Sequence, residues 1–473
     1  MNTTPACIGG EFRELATTYE VVSPINSQII AKCSLAGNKE LEEAIAAAQA
    51  VEDEMAQIPS YKKQEILLGI VAGLTAEREE LAKILCLEAG KPLKYASGEI
   101  DRTIQTFRVA AEECKRLPAE YIQLDWTPAG EGKEGIVKHF PIGIVAGIAP
   151  FNFPMNLVAH KVAPAIAAGC PIILKPARST PLSALSLARI AYKAGLPEGA
   201  FSVLPMDRTA GNQLVTDPRF ALLTFTGSPQ VGWKMKEQAG KKRVVLELGG
   251  NAGVAVSESA NISLAAAKCV VGAFAYSGQV CIHTQRILVH KSVFDMFTSE
   301  FISLTKKLKV GDPLDINTDF SVMIDAQNAE RVEEWINEAV ADGAKVLSGG
   351  NRTGNMVEPT ILTNTKPQMK VCALEVFGPV VSIETFDEFS SAISLINNSE
   401  YGLQAGVFTN SLDEQNFAFN HLKVGGVIIN DVPTFRVDHM PYGGVKNSGF
   451  GREGVRYAML DMLEPKLLVR NYK

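Results

Sequence analysis

Between residues 141 and 250 the chain alternates short, wholly apolar runs with longer stretches of helical period, and no other feature limits its fold as strongly. The runs GIVAGIAP, PIILKP, FSVLP, ALLTFTG and RVVLELGG show no in-and-out alternation, the pattern of strands buried on both faces. Residues 157–168, 182–193 and 231–239 lie between them and carry apolar positions at helical spacing. Strand-helix-strand units of this kind predict a parallel sheet covered on both sides. A second series follows, in which ILVH, PTILTN, VVSIETF, GVFTN and GGVIIN are interleaved with helical stretches such as 292–308 and 326–341. The expectation is an α/β chain with two doubly wound domains, divided near residue 248 where the pattern restarts.

Residues 39–116 read as helices, from Leu41, Ala44, Ile45 and Ala48 and again from Ile66, Leu67, Ile70, Val71 and Leu74, with a stop at Gly90 and Pro92. Between 120 and 140, EYIQLDW and GIVKHF flank a polar, Gly-rich link and suit a hairpin. A lone hairpin is marginal. The C-terminal run EPKLLVRNYK is a candidate third strand, within the chain or across a subunit boundary.

A chain of 473 residues is long enough for two or three domains and needs no metal or disulfide scaffold. With 46 basic and 52 acidic residues the net charge is −6, which argues against nucleic acid or an anionic membrane as main partner. The eight cysteines form no CxxC, and no His stands at zinc-ligand spacing, so no metal is expected. The N-terminus carries no secretory pattern, and residues 162–174, the longest apolar run, are too short to span a bilayer; a cytoplasmic protein is expected.

No GxGxxG, GxxxxGK[ST] or GxSxG is present, so attention falls on the strand ends, where open α/β sheets place ligands. Cys281 stands in a small polar turn, SGQVC; such a residue is either an inert buried thiol or a nucleophile. Glu247 ends the run VVLE, where a carboxylate must be capped, paired or held at a raised pKa fit for a base. Asn152 could hold a turn or donate its amide to an oxyanion. Lys175 could be a solvated strand terminus or a ligand for a cofactor hydroxyl or phosphate. Singly, none of these residues decides between its two readings.

Together they do, because PFNFP, LKP, FTGS, ELGG, GQVC, EVFGP and PYGGVKNSG occur in the order and spacing of a known family. The chain resembles the aldehyde dehydrogenase superfamily over essentially its whole length, including the 34 positions from Glu247 to Cys281. The resemblance implies that Cys281 is the nucleophile, that Asn152 and the Cys281 N–H hold the oxyanion, and that Glu247 activates the water that hydrolyses a thioester. It also implies an NAD(P) cofactor. Glu375 resembles the residue holding the nicotinamide ribose, and Phe377 the one packed near the ring. Gly227 and Ser228 resemble pyrophosphate contacts, and Gly211 a glycine near the adenosine. Lys175, Arg178 and Ser179 are expected around the 2′-phosphate on the adenosine ribose. Ile148, Ala149, Pro150, Phe151, Pro176, Ala177, Thr226, Val231, Leu248 and Gly249 complete the implied cofactor set. On this resemblance residues 1–119 and 141–247 form the cofactor-binding domain, 248–440 the catalytic domain, and 120–140 with 454–473 an oligomerisation element that makes a homodimer or homotetramer.

Two departures bear on specificity. Arg178 replaces a Glu common in members using NAD, and a guanidinium pairs with phosphate where a carboxylate would accept from ribose, so NADP is favoured. The segment PFNFPMNL resembles the lactaldehyde and non-phosphorylating glyceraldehyde-3-phosphate branch. Arg102 and Arg436 match the substrate-phosphate positions there, although Val280 and Phe153 replace an Arg and a Tyr. The implied substrate is a small polar or anionic aldehyde, with Phe153, Asn156 and His283 as further candidates for its pocket. A CoA-acylating enzyme and an inactive cofactor-binding scaffold are the alternatives. Glu247 disfavours the first, and the joint presence of Asn152, Glu247 and Cys281 the second.

Overall fold

The computed structural model describes residues 3–472. One sheet has eight strands, in the order Gly449–Phe450, Arg243–Glu247, Leu222–Thr226, Val145–Ile148, Ile172–Lys175, Phe201–Val203, Ala6–Ile8 and Glu11–Arg13. Its five central strands run parallel, and antiparallel strands close both edges. A second sheet of seven follows the order Lys345–Ser348, Thr360–Thr363, Val380–Phe386, Thr284–His290, Ala252–Val256, Gln404–Phe408 and Gly426–Ile429. It is parallel except at Lys345–Ser348. The unalternating runs are buried as expected, Leu222–Thr226 and Phe201–Val203 at every residue; the equally buried strand Ala252–Val256 is not among those runs.

The helical periods also hold. Leu182–Lys193 and Ala326–Ala341 span the stretches read from sequence, and residues 38–113 carry four helices. Gly90 ends the third with φ +64°, a left-handed cap, and Pro92 precedes the fourth. Asn156–Ala168 is buried at all thirteen positions because it is enclosed by helices Ser60–Ala76, Leu93–Glu113 and Val455–Asp461 as well as by the sheet. The hairpin forms from Ala119–Gln123 and Lys133–Pro141, and Leu463–Asn471 adds the third strand antiparallel to Lys133–Pro141 within the same chain. Just before that strand, Val455–Asp461 is a helix packed on the all-buried one.

Two consequences position the site. Thr226 pairs with Glu247, and Glu247 with Gly449, so the strand end that carries Glu247 lies beneath the late PYGGVKNSG segment. The loops ahead of Ala252–Val256, Thr284–His290 and Val380–Phe386 carry Gly249, Cys281 and Glu375. The carboxyl ends of one sheet and the amino ends of the other thus supply opposite walls of a single cleft.

Candidate active site

The cleft has a volume of about 510 Å³ and is lined by Asn152, Glu247 and Cys281 together. Three segments spread over 129 positions of sequence, from Asn152 to Cys281, are therefore brought to one place. Pro150, Phe151, Thr226, Gly227, Ser228, Leu248, Gly249, Glu375 and Phe377 line it as well.

The loop that carries Cys281 is strained. Tyr276, Ser277 and Gly278 have φ of +50°, +53° and +68°, a left-handed run that costs roughly 1–2 kcal/mol at each non-glycine residue. Side chains hold it there. The Tyr276 hydroxyl donates to the Ala89 carbonyl at 3.0 Å, Ser277 Oγ to Ser321 O at 2.6 Å, and Gln279 Oε1 accepts the Ile324 N–H at 2.9 Å. At Gly278 a Cβ would overlap the Gly378 carbonyl, so only glycine fits. Asn152 Nδ2 donates one N–H to the Gln279 carbonyl at 3.0 Å, fixing the amide against the same loop.

Burial sets the electrostatics. The Cys281 thiol is pushed up to about 11 by desolvation, with the Tyr442 hydroxyl 3.1 Å from Sγ pulling the other way. Glu247 is 3% exposed, and neither carboxylate oxygen has a hydrogen-bond partner among the described residues. Desolvation first, and the nearby Glu453 second, raise its pKa well above the carboxylate range. Glu453 stays ionised against the cost of burial because Lys161, at 3.3 Å, and Arg436, at 2.9 Å, lie against it. Capping or salt bridging, the ordinary fate of a carboxylate at this position, is absent at Glu247, where the geometry leaves a buried, protonatable group facing the cleft.

A nicotinamide nucleotide fits the remaining walls. Helix Pro229–Gln238 opens onto the cleft with no side-chain cap at Ser228, which leaves its positive end free for an anion. At Gly249 a Cβ would overlap the Glu375 carboxylate, which accepts the Gly250 N–H at 3.1 Å and is raised to about 7 by burial. The Phe151 and Phe377 rings meet edge to face at 5.8 Å. Farther out, Lys175 ends its strand half-buried, and at Gly211 a Cβ would come within 2.8 Å of the lysine stem. Arg178 and Ser179 are exposed; the Arg178 guanidinium sits 4.8 Å from the Tyr19 ring centroid, and no carboxylate pairs with it among the described residues. Lys175, Pro176, Ala177, Arg178, Ser179, Gly211, Ile148, Ala149 and Val231 lie outside the cleft lining.

The expected substrate residues are placed less favourably. Arg102 donates to Asp438 Oδ1 at 2.7 Å, and the same oxygen accepts from His160 Nε2 at 2.9 Å. The Arg436 side chain is 5% exposed, pairs with Glu453, touches His160 and stacks on Tyr442. The two arginines thus converge on one cluster, but each already carries a carboxylate. Asn156 is fully buried and accepts from Thr106 Oγ1 at 3.3 Å, so its side chain belongs to helix packing. His283 is 3% exposed, and desolvation lowers its pKa to about 4, which makes it a neutral core residue. Phe153 packs edge to face on Tyr276 with the Lys91 ammonium 3.8 Å from its centroid. None of these five lines the cleft. Sequence reading missed Lys91, Lys161, Tyr442 and Glu453 as members of the site, and Leu157, Arg331, Trp335, Leu374 and Tyr401 as its walls. Tyr442 lies in the motif PYGGVKNSG, the only signal that could have found it.

Residues 12–468 match the aldehyde dehydrogenase family. A 3-sulfolactaldehyde dehydrogenase from Priestia aryabhattai is 43% identical over 466 residues, covering 98% of this chain and 97% of its own length. Among solved structures, aldehyde dehydrogenase 21 from Physcomitrella patens, in complex with its reaction product succinate, superposes with a TM-score of 0.97 at 45% identity over 99% of this chain and 98% of its own. Glyceraldehyde-3-phosphate dehydrogenase GapN from Methanocaldococcus jannaschii, complexed with NADP, gives 0.93 at 37% identity over 97% of this chain and all of its own. The chain belongs to the aldehyde dehydrogenase family and is an NAD(P)-dependent aldehyde dehydrogenase. No helix among the described residues is long and apolar enough to cross a membrane.

Because the turn before Cys281 has room for hydrogen alone at Gly278, Gly278→Ala should cost about 2–4 kcal/mol of stability and most of the activity. Denaturant unfolding with unchanged m-value checks it; a variant of wild-type midpoint would show that the turn relaxes freely.

Proposed function

We propose that this chain oxidises a short aldehyde with a polar or negatively charged tail to the carboxylic acid, with Cys281 as nucleophile, Asn152 as oxyanion donor and Glu247 as hydrolytic base. The observation that carries the reading is the joint placement of Cys281, Asn152 and an unpartnered, buried Glu247 in one cleft. The Cys281 sulfur, once ionised, forms an S–C bond to the aldehyde carbon as the C=O π pair moves to oxygen. That oxyanion would receive the second N–H of Asn152, the first being taken by Gln279, and the N–H of Cys281. The bound nicotinamide supplies the acceptor for the hydride that leaves the same carbon, so that a thioester remains. Glu247 then takes a proton from the attacking water, and the thioester breaks to release the acid and the Cys281 thiolate. A CoA-acylating enzyme would need no such base.

Three relatives support a charged tail: their names give a sulfonated lactaldehyde, succinate as product, and a phosphorylated glyceraldehyde. The Nε atoms of Arg102 and Arg436 are both buried without a partner among the described residues, in the cluster those residues share, so each retains a donor. For the cofactor we propose a preference for NADP. Arg178 has no carboxylate partner among the described residues and stands near Lys175, whose ammonium is made less favourable first by burial and then by that guanidinium, so a phosphate would relieve both. The domain division near residue 248 and a role in self-association for the edge strand Leu463–Asn471 are retained as proposals; Leu467, Leu468 and Val469 on that strand are all exposed.

Glu247→Gln should leave a first-turnover burst of reduced nicotinamide while steady turnover falls about 10²-fold or more. In the wild type, because the Glu247 pKa is raised, the base form grows and deacylation should accelerate as pH rises from neutral. Loss of the burst together with turnover would remove Glu247 from the second half-reaction. Arg102→Ala should raise KM about tenfold for aldehydes carrying carboxylate, sulfonate or phosphate, and leave lactaldehyde unaffected; equal effects on both groups would refute the anionic tail. Arg178→Glu should reverse the kcat/KM ratio of NADP to NAD by about tenfold or more; an NAD preference already present in the wild type and unmoved by the change would refute the assignment.

A further inference from the structure

Tyr442 has no part in the scheme above, yet it touches the reacting sulfur. Its side chain is buried, and its hydroxyl lies 3.1 Å from Cys281 Sγ, its sole hydrogen-bond partner among the described residues. The ring is held from one side by the guanidinium of Arg436, with Cζ 3.6 Å from the centroid. The backbone is pinned in both directions to Glu453: the Tyr442 N–H donates to the Glu453 carbonyl at 3.0 Å, and the Tyr442 carbonyl accepts from the Glu453 N–H at 2.6 Å. Glu453 in turn holds Arg436 and Lys161. The phenol is therefore fixed over the sulfur by backbone hydrogen bonds and by the stacked charge together.

We propose that Tyr442 is a catalytic residue: it donates its O–H to the Cys281 sulfur when the thiol ionises, and Arg436 stacked on the ring strengthens that donor. The proposal rests on the reading of Cys281 as nucleophile.

The chemistry follows from what a buried thiol lacks. The thiolate, not the thiol, attacks carbon, and desolvation makes this one hard to form. Of the groups that face it, the Tyr442 hydroxyl and the Arg436 charge favour the thiolate, whereas Glu375 and Glu247 oppose it when ionised. In the resting protein either atom of the pair can donate. Once the thiol has lost its proton only the phenol can, and rotation about its C–O bond is the sole movement required. A hydrogen bond to an ionised acceptor is roughly twice as strong as a neutral one, so the same contact favours the charged form. The phenol cannot take the charge itself, because burial and the adjacent sulfur push its own pKa well above the ordinary value and keep the O–H intact. A cation on the ring face withdraws density from the oxygen and makes it a better donor. Phenylalanine would preserve the ring and its stacking and remove the donor alone.

The test uses the full-length protein free of cofactor and follows alkylation by iodoacetamide, which forms an S–C bond and expels iodide, from neutral to alkaline pH. Cys281→Ser supplies the background from the seven other thiols. Tyr442→Phe should move the midpoint of the Cys281 alkylation profile up by about one unit and slow the reaction at neutral pH about tenfold. In the same variant kcat/KM should fall by a similar factor, carried by the first-turnover rate rather than by KM. A midpoint unmoved in Tyr442→Phe overturns the proposal, as does a rise in KM alone, which would make the hydroxyl a substrate contact. Wild-type aldehyde oxidation by Cys281→Ser would instead overturn the assignment of the nucleophile, a separate and distinguishable outcome.

Discussion

Lys91 has no exposed side-chain surface, and its ammonium makes three contacts that tie the two halves of the site together. It pairs with Glu99, lies 3.8 Å from the Phe153 ring centroid and 4.5 Å from that of Tyr276. The other oxygen of Glu99 accepts the N–H groups of Met155 and Asn156, at 3.0 and 3.1 Å, and so caps the start of the all-buried helix. Phe153 belongs to the segment that carries Asn152, and Tyr276 to the strained turn before Cys281. One ion pair thereby sets both the amide and the sulfur. Removing one member of a buried pair costs about 3–5 kcal/mol, because the survivor is left charged and alone. Asn152, the Gln279 carbonyl and the left-handed run at 276–278 keep their mutual positions as long as that pair is intact.

A second buried group of charges gathers at His160 and Lys161 of the same helix. Lys161 reaches Glu453 and the hydroxyls of Thr224 and Thr226, at 3.1 and 2.7 Å; Arg436 reaches Glu453 and His160; Arg102 reaches Asp438. Burial and the Arg436 charge keep His160 neutral. Glu453 and Asp438 are thus matched by cations, and Glu247 is the carboxyl left without one in contact. Burial is the larger cause of its raised pKa and that allocation the second: two neighbouring acids cannot both ionise cheaply, and the cations lie against the other one.

The parts legible in the sequence were those set by local pattern. The runs of Leu222–Thr226 and Phe201–Val203 announced buried parallel strands because their neighbours on both faces are apolar, and Ala326–Ala341 announced a helix because one stripe alone is buried. The strands Ala6–Ile8 and Glu11–Arg13 gave no comparable signal: each has three residues and is held by pairing with a strand nearly two hundred positions away or with each other. The same division runs through the site. Cys281, Glu247 and Asn152 stand in recognisable motifs, but Lys91, Lys161, Tyr442 and Glu453 acquire meaning only from partners 8 to 292 positions distant. His283 shows the reverse error. Two residues from the proposed nucleophile in sequence, it points into packing because the chain is already entering the strand Thr284–His290.

Desolvation raises the pKa of both Cys281 and Glu247, which sets the proposed reaction a problem in time. If both were ionised at once, two anions would share one buried cleft, and each opposes the charge of the other. The two half-reactions avoid the conflict by needing them in turn: the sulfur as anion while the carboxyl is protonated, then the carboxyl as base while the sulfur is masked in a neutral thioester. Tyr442 serves the first state, since its hydrogen bond gains strength only when the sulfur is charged. Arg436, Lys161 and Arg452 serve the second, since each lowers the cost of ionising Glu247. Arg436 belongs to both lists, through the ring it stacks on and through the field it exerts, which is why its neutralisation by Glu453 is compatible with function. A guanidinium fully free to meet Glu247 would fix that carboxyl as an anion and leave the thiol harder to ionise.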